Sequence, residues 1–140
     1  MYRPKYFTIK ELVNTTLLKQ IGEETAWKLF DDRLLKAADE IRMKYGPCTV
    51  NGNGLTDCGL RDPQSTTGAK YSMHKIGRAL DLHIAEIEKK YTNKAEKIKA
   101  YNRVRELLLL DSRFEKINFE HNISWLHIDT GNRTNRLFNP

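Results

Sequence analysis

The stretch Ser72-Met73-His74-Lys75-Ile76-Gly77-Arg78-Ala79-Leu80-Asp81-Leu82 carries the strongest fold signal in the sequence. Its second half alternates, because aliphatic side chains occupy every other position from Leu80 to Ile84. Such alternation is typical of a strand with one buried face. The positions between them hold small or ionisable residues, namely Ala79, Asp81 and His83. Residues 78–84 therefore predict a strand with one apolar and one polar face.

A second stretch, Trp125-Leu126-His127-Ile128-Asp129, repeats this alternation. Residues 115–119 would pair with it as a hairpin. Because both strands combine an apolar face with a polar one, we expect helices to cover the apolar face and the polar face to form the wall of a cleft. The expected fold class is α+β: a small antiparallel sheet packed on helices, with the cleft on the open sheet face.

Helices are predicted on both sides of these strands. Thr8 and Glu11 form a capping box that opens a short helix near the start of the chain. Apolar residues at steps of three and four predict a second helix over residues 23–45, which Gly46-Pro47 would end. The same periodicity predicts a further helix over residues 93–111.

Residues 48–51 predict a short strand, and residues 52–73 predict one long loop rich in Gly, Asn, Asp, Ser and Thr. A loop of this length inside a compact domain is usually functional. Cys48 and Cys58 are too few for a disulfide framework and lack the spacing of a zinc ribbon. Free thiols are therefore expected, with Cys48 buried and Cys58 exposed.

Length and charge narrow the classes of function. The chain has 140 residues, enough for one compact core, so a single domain over residues 1–140 is expected. Its net charge is +6, but the basic residues alternate with acidic ones instead of forming a stripe, which does not favour nucleic-acid binding.

No apolar run approaches a membrane span, and the first residues lack the apolar segment of a secretory signal. We expect no membrane insertion and no signal peptide.

A metal site is predicted from three residues on these stretches: His74, Asp81 and His127. Two histidines and a carboxylate suit a catalytic Zn²⁺, which takes three protein ligands and leaves its fourth position to water. The same set could hold iron(II) or another divalent metal. Gly77 and Ala79 are small, as a tight turn beside a metal requires.

The pattern Ser-x-His-x-x-Gly-x-Ala-x-Asp-Leu followed by Trp-x-His resembles the zinc D-alanyl-D-alanine carboxypeptidase family. That family includes phage endolysins and vancomycin-resistance dipeptidases, and it shares its fold with the hedgehog signalling domain. Residues 7–12 resemble the opening helix of the family. Residues 41–51 resemble the helix and strand that precede its substrate-side arginine, which would here be Arg61 in Gly59-Leu60-Arg61.

The resemblance implies roles for several residues. Arg61 would anchor a substrate carboxylate or polarise the scissile carbonyl. In many members a catalytic Glu lies three residues before the last histidine, but this position is Ser124 here. Glu120 is the nearest candidate for the general base, if a hairpin turn folds it back beside His127. Ser72 would bind substrate or fix the turn before the first ligand.

Three further residues are candidates for the surroundings of the metal. His83 and Asp129 share strand faces with the predicted ligands, and either could hydrogen-bond the non-ligating nitrogen of a ligand histidine. His83 could equally face solvent. Trp125 is expected to line the cleft and to contact substrate.

Taken with the resemblance, the sequence implies a zinc peptidase that hydrolyses peptides of bacterial peptidoglycan. The bond could be that of a D-Ala-D-Ala carboxypeptidase, an L-Ala-D-Glu endopeptidase or a D,D-endopeptidase. A phage or prophage protein is implied, located in the host cytoplasm or the virion and acting at the cell wall, as a monomer or as part of a phage particle. The alternative is a non-catalytic, zinc-containing module that binds cell wall or builds a phage tail.

Overall fold

The predicted α+β architecture is confirmed in the computed structural model, which describes all 140 residues. Six helices accompany an open five-stranded sheet, in the following chain order. The helices and strands are α1 (Ile9–Leu12), α2 (Thr15–Ile21), α3 (Glu23–Leu29), α4 (Asp32–Tyr45), β1 (Cys48–Thr49), β2 (Ala79–Ile84), α5 (Ala85–Lys90), α6 (Lys94–Leu109), β3 (Asn118–Glu120), β4 (Leu126–Asp129) and β5 (Leu137–Phe138). No helix has the length and apolar character needed to cross a membrane.

The sheet has the strand order β1-β2-β4-β3-β5. Strand β2 pairs antiparallel with both β1 and β4, and β3 pairs antiparallel with β4. Strand β5 runs parallel to β3, so the sheet is mixed, and the prediction of a wholly antiparallel sheet is wrong at this edge. A strand of two residues is too short to show an alternating pattern in the sequence, which is why residues 137–138 gave no signal.

The pairing of β2 with β4 sets the geometry of the site. Asp81 lies directly opposite His127, and Ala79 lies opposite Asp129. Residues directly opposite in an antiparallel pair point to the same face, with Cβ atoms about 5 Å apart. The polar faces of the two strands are therefore the same face of the sheet.

The helix predicted over residues 23–45 is interrupted, and the prediction of one continuous helix is wrong. Phe30 adopts an extended conformation, with φ −80° and ψ 139°, and α4 begins anew at Asp32. The side chain of Asp31 accepts a hydrogen bond from the Arg33 amide at 2.9 Å. An aspartate that caps a helix in this way competes with helix continuation. The backbone N–H of Asp31 also donates to the carbonyl of Gly77 at 3.0 Å, which joins the interruption to the turn before β2.

The strand predicted over residues 115–119 is wrong in its bounds, because β3 covers only Asn118–Glu120. The predictions for α1, for α6 and for the long loop are confirmed. The amide of Thr8 donates to the Glu11 carboxylate at 2.7 Å, completing the capping box of α1. The side chain of Asn93 caps α6, within two residues of the predicted bounds. Residues 52–73 contain no regular strand, but Leu60 forms an isolated bridge with Val13 that anchors the loop to the core.

The core lies between the helices and the apolar face of the sheet. Four of the aliphatic residues that the alternation assigned to this face are fully buried: Leu80, Leu82, Leu126 and Ile128. Helix α4 packs on β2, and α6 buries Tyr101, Leu108 and the whole of Arg105. The helices thus cover one face of the sheet, and the residues of the predicted site lie on the other.

Candidate metal centre

The three predicted ligands meet at one point in the structure. His74 lies on a 3-10 turn (Met73–Ile76), Asp81 on β2 and His127 on β4. Oδ1 of Asp81 is 2.8 Å from Nδ1 of His127 and 3.4 Å from Nε2 of His74. All three residues are buried, and their ligand atoms lie within 4.8 Å of one another. This group could hold a metal ion.

The turn that carries His74 requires a glycine after it. Gly77 has φ +69°, and a Cβ atom at this position would lie 2.1 Å from the carbonyl oxygen of Leu29. Any larger residue would push the turn away from α3. Ser72 caps the same turn, because its Oγ accepts a hydrogen bond from the His74 amide at 3.3 Å. Ser72 therefore fixes this turn, one of its two expected roles, and it also lies along the cleft.

Hydrogen bonds orient both ligand histidines. Nδ1 of His74 lies 3.0 Å from the carbonyl oxygen of Gly59. A carbonyl can only accept, so Nδ1 carries the proton and Nε2 is free to face the centre. Nε2 of His127 lies 3.0 Å from Oδ2 of Asp129, which leaves Nδ1 for the centre. Such partners for the outer nitrogens are usual in metal sites, so the residues present fit a bound metal.

The pKa values of these groups reflect mutual stabilisation. Burial alone would raise the pKa of Asp81, but hydrogen bonds from His127 and His74 outweigh it and hold the pKa well below its usual range. Burial lowers the pKa of His127, yet the contacts with Asp129 and Asp81 prevail and raise that pKa to about 9. The two carboxylates therefore stabilise a positive charge between them, which a proton or a metal can supply.

Asp129 has further partners that the sequence pattern did not reveal. Its Oδ1 accepts from Nδ2 of Asn118 at 2.8 Å and from the Gly131 amide at 3.0 Å. Its Oδ2 accepts from Nη2 of Arg133 at 2.9 Å. Asp129 is completely buried, and all these contacts favour its charged form. Asn118 could have been found only from the register of β3 and β4, which places it opposite Asp129.

His83 is not brought to the ligand histidines. Its Nδ1 lies 3.3 Å from Oε1 of Glu88, and its Nε2 lies 3.9 Å from Sγ of Cys58. The outer nitrogens of both candidate ligand histidines already have other partners, because Nδ1 of His74 faces the Gly59 carbonyl and Nε2 of His127 faces Asp129. The prediction that His83 could orient a ligand is therefore wrong. Both cysteines are free thiols, as expected, but both are half-buried, so the expectation of a buried Cys48 and an exposed Cys58 is wrong.

Glu120 lies beside the centre, at the end of β3. Its Oε2 is 3.9 Å from Nδ1 of His127, and the side chain is half-buried. The loop after it is held by the buried guanidinium of Arg105, which donates to the carbonyl oxygens of Ile123, at 2.9 Å, and of Trp125. This clamp folds the chain back so that Glu120 comes near His127.

Arg61 also reaches the centre, but its guanidinium is engaged. Nε donates to the carbonyl of Asp57 at 2.6 Å, Nη1 to the carbonyl of Thr67 at 3.3 Å, and Nη2 faces Oδ2 of Asp81 at 3.5 Å. Only 8% of the residue is exposed. Arg61 therefore ties the long loop to the candidate metal centre.

An open cleft of about 590 Å³ surrounds these residues. Its lining combines charged and aromatic side chains. Besides the three metal-site residues, the wall includes Arg61, Ser72, Glu120, Trp125, Arg133 and Phe138. Trp125 lies along the cleft as expected, and its ring is 6.5 Å from that of His83. A site of this kind can admit an extended polar ligand.

Comparisons of the chain with protein-family models, with curated proteins and with solved structures found no match. The function therefore has to be inferred from the chemistry of the cleft. A buried two-histidine, one-carboxylate group beside a further carboxylate is the feature from which that inference starts.

Proposed function

We propose that this protein is a zinc-dependent peptidase that hydrolyses peptide bonds of bacterial peptidoglycan. The observation that carries the proposal is the position of the Glu120 carboxylate, 3.9 Å from a predicted ligand, His127, in a cleft open to solvent. A metal site with an adjacent carboxylate is the minimum equipment for hydrolysis with a water nucleophile. The resemblance of residues 72–82 and 125–127 to the D-alanyl-D-alanine carboxypeptidase family adds the substrate class and the hedgehog-like fold type to the proposal.

Zinc is the metal that we propose for the centre. Two imidazoles and a carboxylate suit Zn²⁺, and the outer nitrogens of His74 and His127 are already paired with acceptors. When bound, zinc would supply Lewis acidity and an activated water.

Glu120 is the proposed general base. Its carboxylate would accept a proton from the attacking water and pass that proton to the leaving amine. It is half-buried beside the metal-site residues and so is shielded from bulk solvent on one side. The role that a Glu has in many members at the position of Ser124 would therefore fall here to Glu120, four positions earlier in the chain.

Arg61 would act mainly on the electrostatics of the site. Its guanidinium contacts Asp81 and keeps a positive charge at the wall of the cleft. This charge would favour the negative charge that develops on the oxygen of the scissile carbonyl. Because three of its nitrogens face protein acceptors, this role requires no movement of the side chain.

The biological setting that we propose is that of a phage or prophage protein acting on the cell wall, either as a lysin or on a virion. The bond that is cut would be a D-Ala-D-Ala, L-Ala-D-Glu or D,D cross-bridge bond. A second candidate function is a zinc-containing module that binds cell wall or builds a phage tail without catalysis. The observation that favours this second function is Ser124 at the position where many relatives in the resembled family have their base.

The deciding experiment is digestion of defined muropeptides by zinc-loaded protein, with the products identified by mass. We expect cleavage by the wild type and a loss of at least about 100-fold in Glu120→Gln, with one equivalent of zinc retained. Ser124→Ala is the matched control and should cleave normally. If wild-type protein with a full zinc site leaves every muropeptide intact between pH 6 and 9, the peptidase proposal fails and the binding module is favoured.

A further inference from the structure

We propose that Arg133, not Arg61, is the residue that binds a carboxylate of the substrate, and that it does so on the Asp129 side of the metal centre. This inference rests on the proposed peptidase function. It deepens that proposal by naming the specificity-determining cation and by stating where the acidic group of the peptide lies.

The cleft contains two arginines, and only one of them has a guanidinium nitrogen without a protein partner. In Arg61, Nε and Nη1 donate to backbone carbonyls and Nη2 faces Asp81. The loop also covers Nη1, because a Cβ atom on Gly68 would lie 2.7 Å from it. Arg61 can therefore contribute charge to the cleft, but a substrate carboxylate could form paired hydrogen bonds with it only by displacing the loop.

Arg133 presents the opposite arrangement. About a third of its side chain, 32%, is exposed, and it lies on the wall of the cleft. Nε and Nη2 donate to Asp129 at 3.1 Å and 2.9 Å, whereas Nη1 forms no hydrogen bond with the protein. This nitrogen is available to an acceptor that enters from solvent.

The guanidinium of Arg133 is also held in place. Its Cζ lies 3.5 Å from the centroid of the Phe138 ring, and the ion pair with Asp129 fixes the plane of the group. Stacking on an aromatic face and pairing with a carboxylate are both well suited to arginine. A cation that is already ordered loses little entropy on binding a ligand, so its hydrogen bonds contribute more to affinity.

The position of Arg133 relative to the metal site follows from its partner. Asp129 contacts Nε2 of His127, while Asp81 contacts Nδ1, so the two carboxylates lie at opposite nitrogens of one ring. Arg133 is bound to the first of them and Arg61 to the second. A carboxylate held by Arg133 would therefore lie on the side of His127 away from Asp81.

The charge of the cleft favours an anionic ligand at this place. Of the charged side chains that line it, the two arginines offset the carboxylates of Asp81 and Glu120. A bound divalent cation would make the cleft positive. Asp129 is also charged, but it is completely buried. Its carboxylate contacts His127 and Arg133 and is not exposed to a ligand in the cleft.

The test compares an acidic peptide with forms of it that each lack one of its carboxylates. The probes are the pentapeptide L-Ala-γ-D-Glu-L-Lys-D-Ala-D-Ala, in which D-Glu is linked through its γ-carboxyl, and two forms of it, one amidated at the D-Glu α-carboxyl and one at the carboxyl terminus. Turnover is measured on the zinc-loaded wild type, Arg133→Gln and Arg133→Lys. Binding is measured by calorimetry on the same proteins carrying Glu120→Gln. We expect one of the amidations to weaken binding to the protein that carries only Glu120→Gln by about 10- to 100-fold. The same amidation should raise the KM of the wild type by a similar factor, with a smaller change in kcat.

In Arg133→Gln this preference for the acid over its amide should fall to about one, while zinc remains at one equivalent. Arg133→Lys should retain part of the preference, because it keeps the charge but loses the planar fork. A purely structural role of Arg133 would weaken the acid and the amide equally. Arg61→Gln is the matched variant: it should lower affinity for both peptides alike and leave their ratio unchanged.

The proposal is overturned if the acid–amide ratio persists in Arg133→Gln, if it collapses in Arg61→Gln instead, or if the wild type binds none of the acids more tightly than its amide. Selective binding that depends on Arg133 without any hydrolysis would retain the carboxylate site and reject the peptidase function. The two proposals can therefore fail separately.

Discussion

The outer nitrogen of His127, Nε2, lies 3.0 Å from Oδ2 of Asp129, two residues further along the same strand. Residues at positions i and i+2 of a strand share a face, so β4 supplies both a predicted metal ligand and the carboxylate that orients it. The orientation is secured by Asn118 from the neighbouring strand, which donates to the other oxygen of Asp129 at 2.8 Å. This part of the candidate metal site is therefore built into the sheet and not into a loop.

Replacement of Asp129 by Asn should weaken zinc binding by about 10- to 100-fold, because the charge that fixes the tautomer of His127 would be lost. The side chain keeps its volume, so the fold should persist. Affinity can be measured by competition with a chromophoric chelator. Glu115→Ala is the control, since this carboxylate is exposed and outside the cleft. An unchanged zinc Kd in Asp129→Asn would contradict the orienting role.

Removal of either ligand histidine should abolish stoichiometric zinc binding. We expect wild-type protein to bind one equivalent and to gain thermal stability from it, because a ligand that binds only the folded state stabilises that state. His74→Ala and His127→Ala should bind less than about a tenth of an equivalent and show no zinc-dependent rise in Tm. His121→Ala provides the control, because it replaces a histidine outside the predicted ligand group. Zinc contents from elemental analysis that match the wild type would reject this ligand set.

Gly77→Ala should destabilise the protein by more than about 3 kcal/mol. A Cβ atom there would lie 2.1 Å from the Leu29 carbonyl oxygen, and the alanine would also have to adopt a backbone φ of +69°. Gly46→Ala separates the two effects, because Gly46 has φ +83° but nothing within 4 Å of the added atom. Conformational strain alone should cost this variant about 1–3 kcal/mol. The free energies of unfolding of both variants can be measured by urea unfolding of the metal-free proteins. An equal loss of stability in the two variants would show that the steric contact with α3 is unimportant.

Asp31 should stabilise the fold in a pH-dependent way. Burial would raise its pKa, but hydrogen bonds from Arg33 and Thr130 prevail and lower the pKa to about 2. A carboxyl group with a lowered pKa contributes stability that is present above its unfolded pKa, near 4, and is lost as the pH falls through 2. Asp31→Ala should therefore cost about 1–2 kcal/mol at pH 7 and progressively less below pH 4.

This prediction can be checked by urea unfolding of metal-free wild type and Asp31→Ala at pH 7 and at pH 2.5. Glu106→Ala, at an exposed position on α6, should change the free energy of unfolding by less than about 0.5 kcal/mol at both values. A difference between wild type and Asp31→Ala that is as large at pH 2.5 as at pH 7 would show that the charge of Asp31 contributes nothing.

Much of the fold and of the candidate metal site could be predicted because both depend on local patterns. The alternation in residues 78–84 and 125–129 identified two strands and the face on which Asp81 and His127 lie. The break at Phe30 and Asp31 was missed, since the apolar period continues across it. What interrupts the helix is the capping side chain of Asp31 and its backbone bond to Gly77, a residue 46 positions away.

The amino-acid sequence by itself determined the two central strands, their two unlike faces and the identity of the residues that could bind a metal. Only the tertiary structure decided which polar residues accompany them. His83 and Asp129 have the same pattern in the sequence, yet the Asp129 carboxylate contacts the His127 imidazole of its own strand, whereas the His83 imidazole lies beside Glu88. The difference arises because periodicity fixes the face of a residue, whereas its contacts depend on how far along the paired strands it lies.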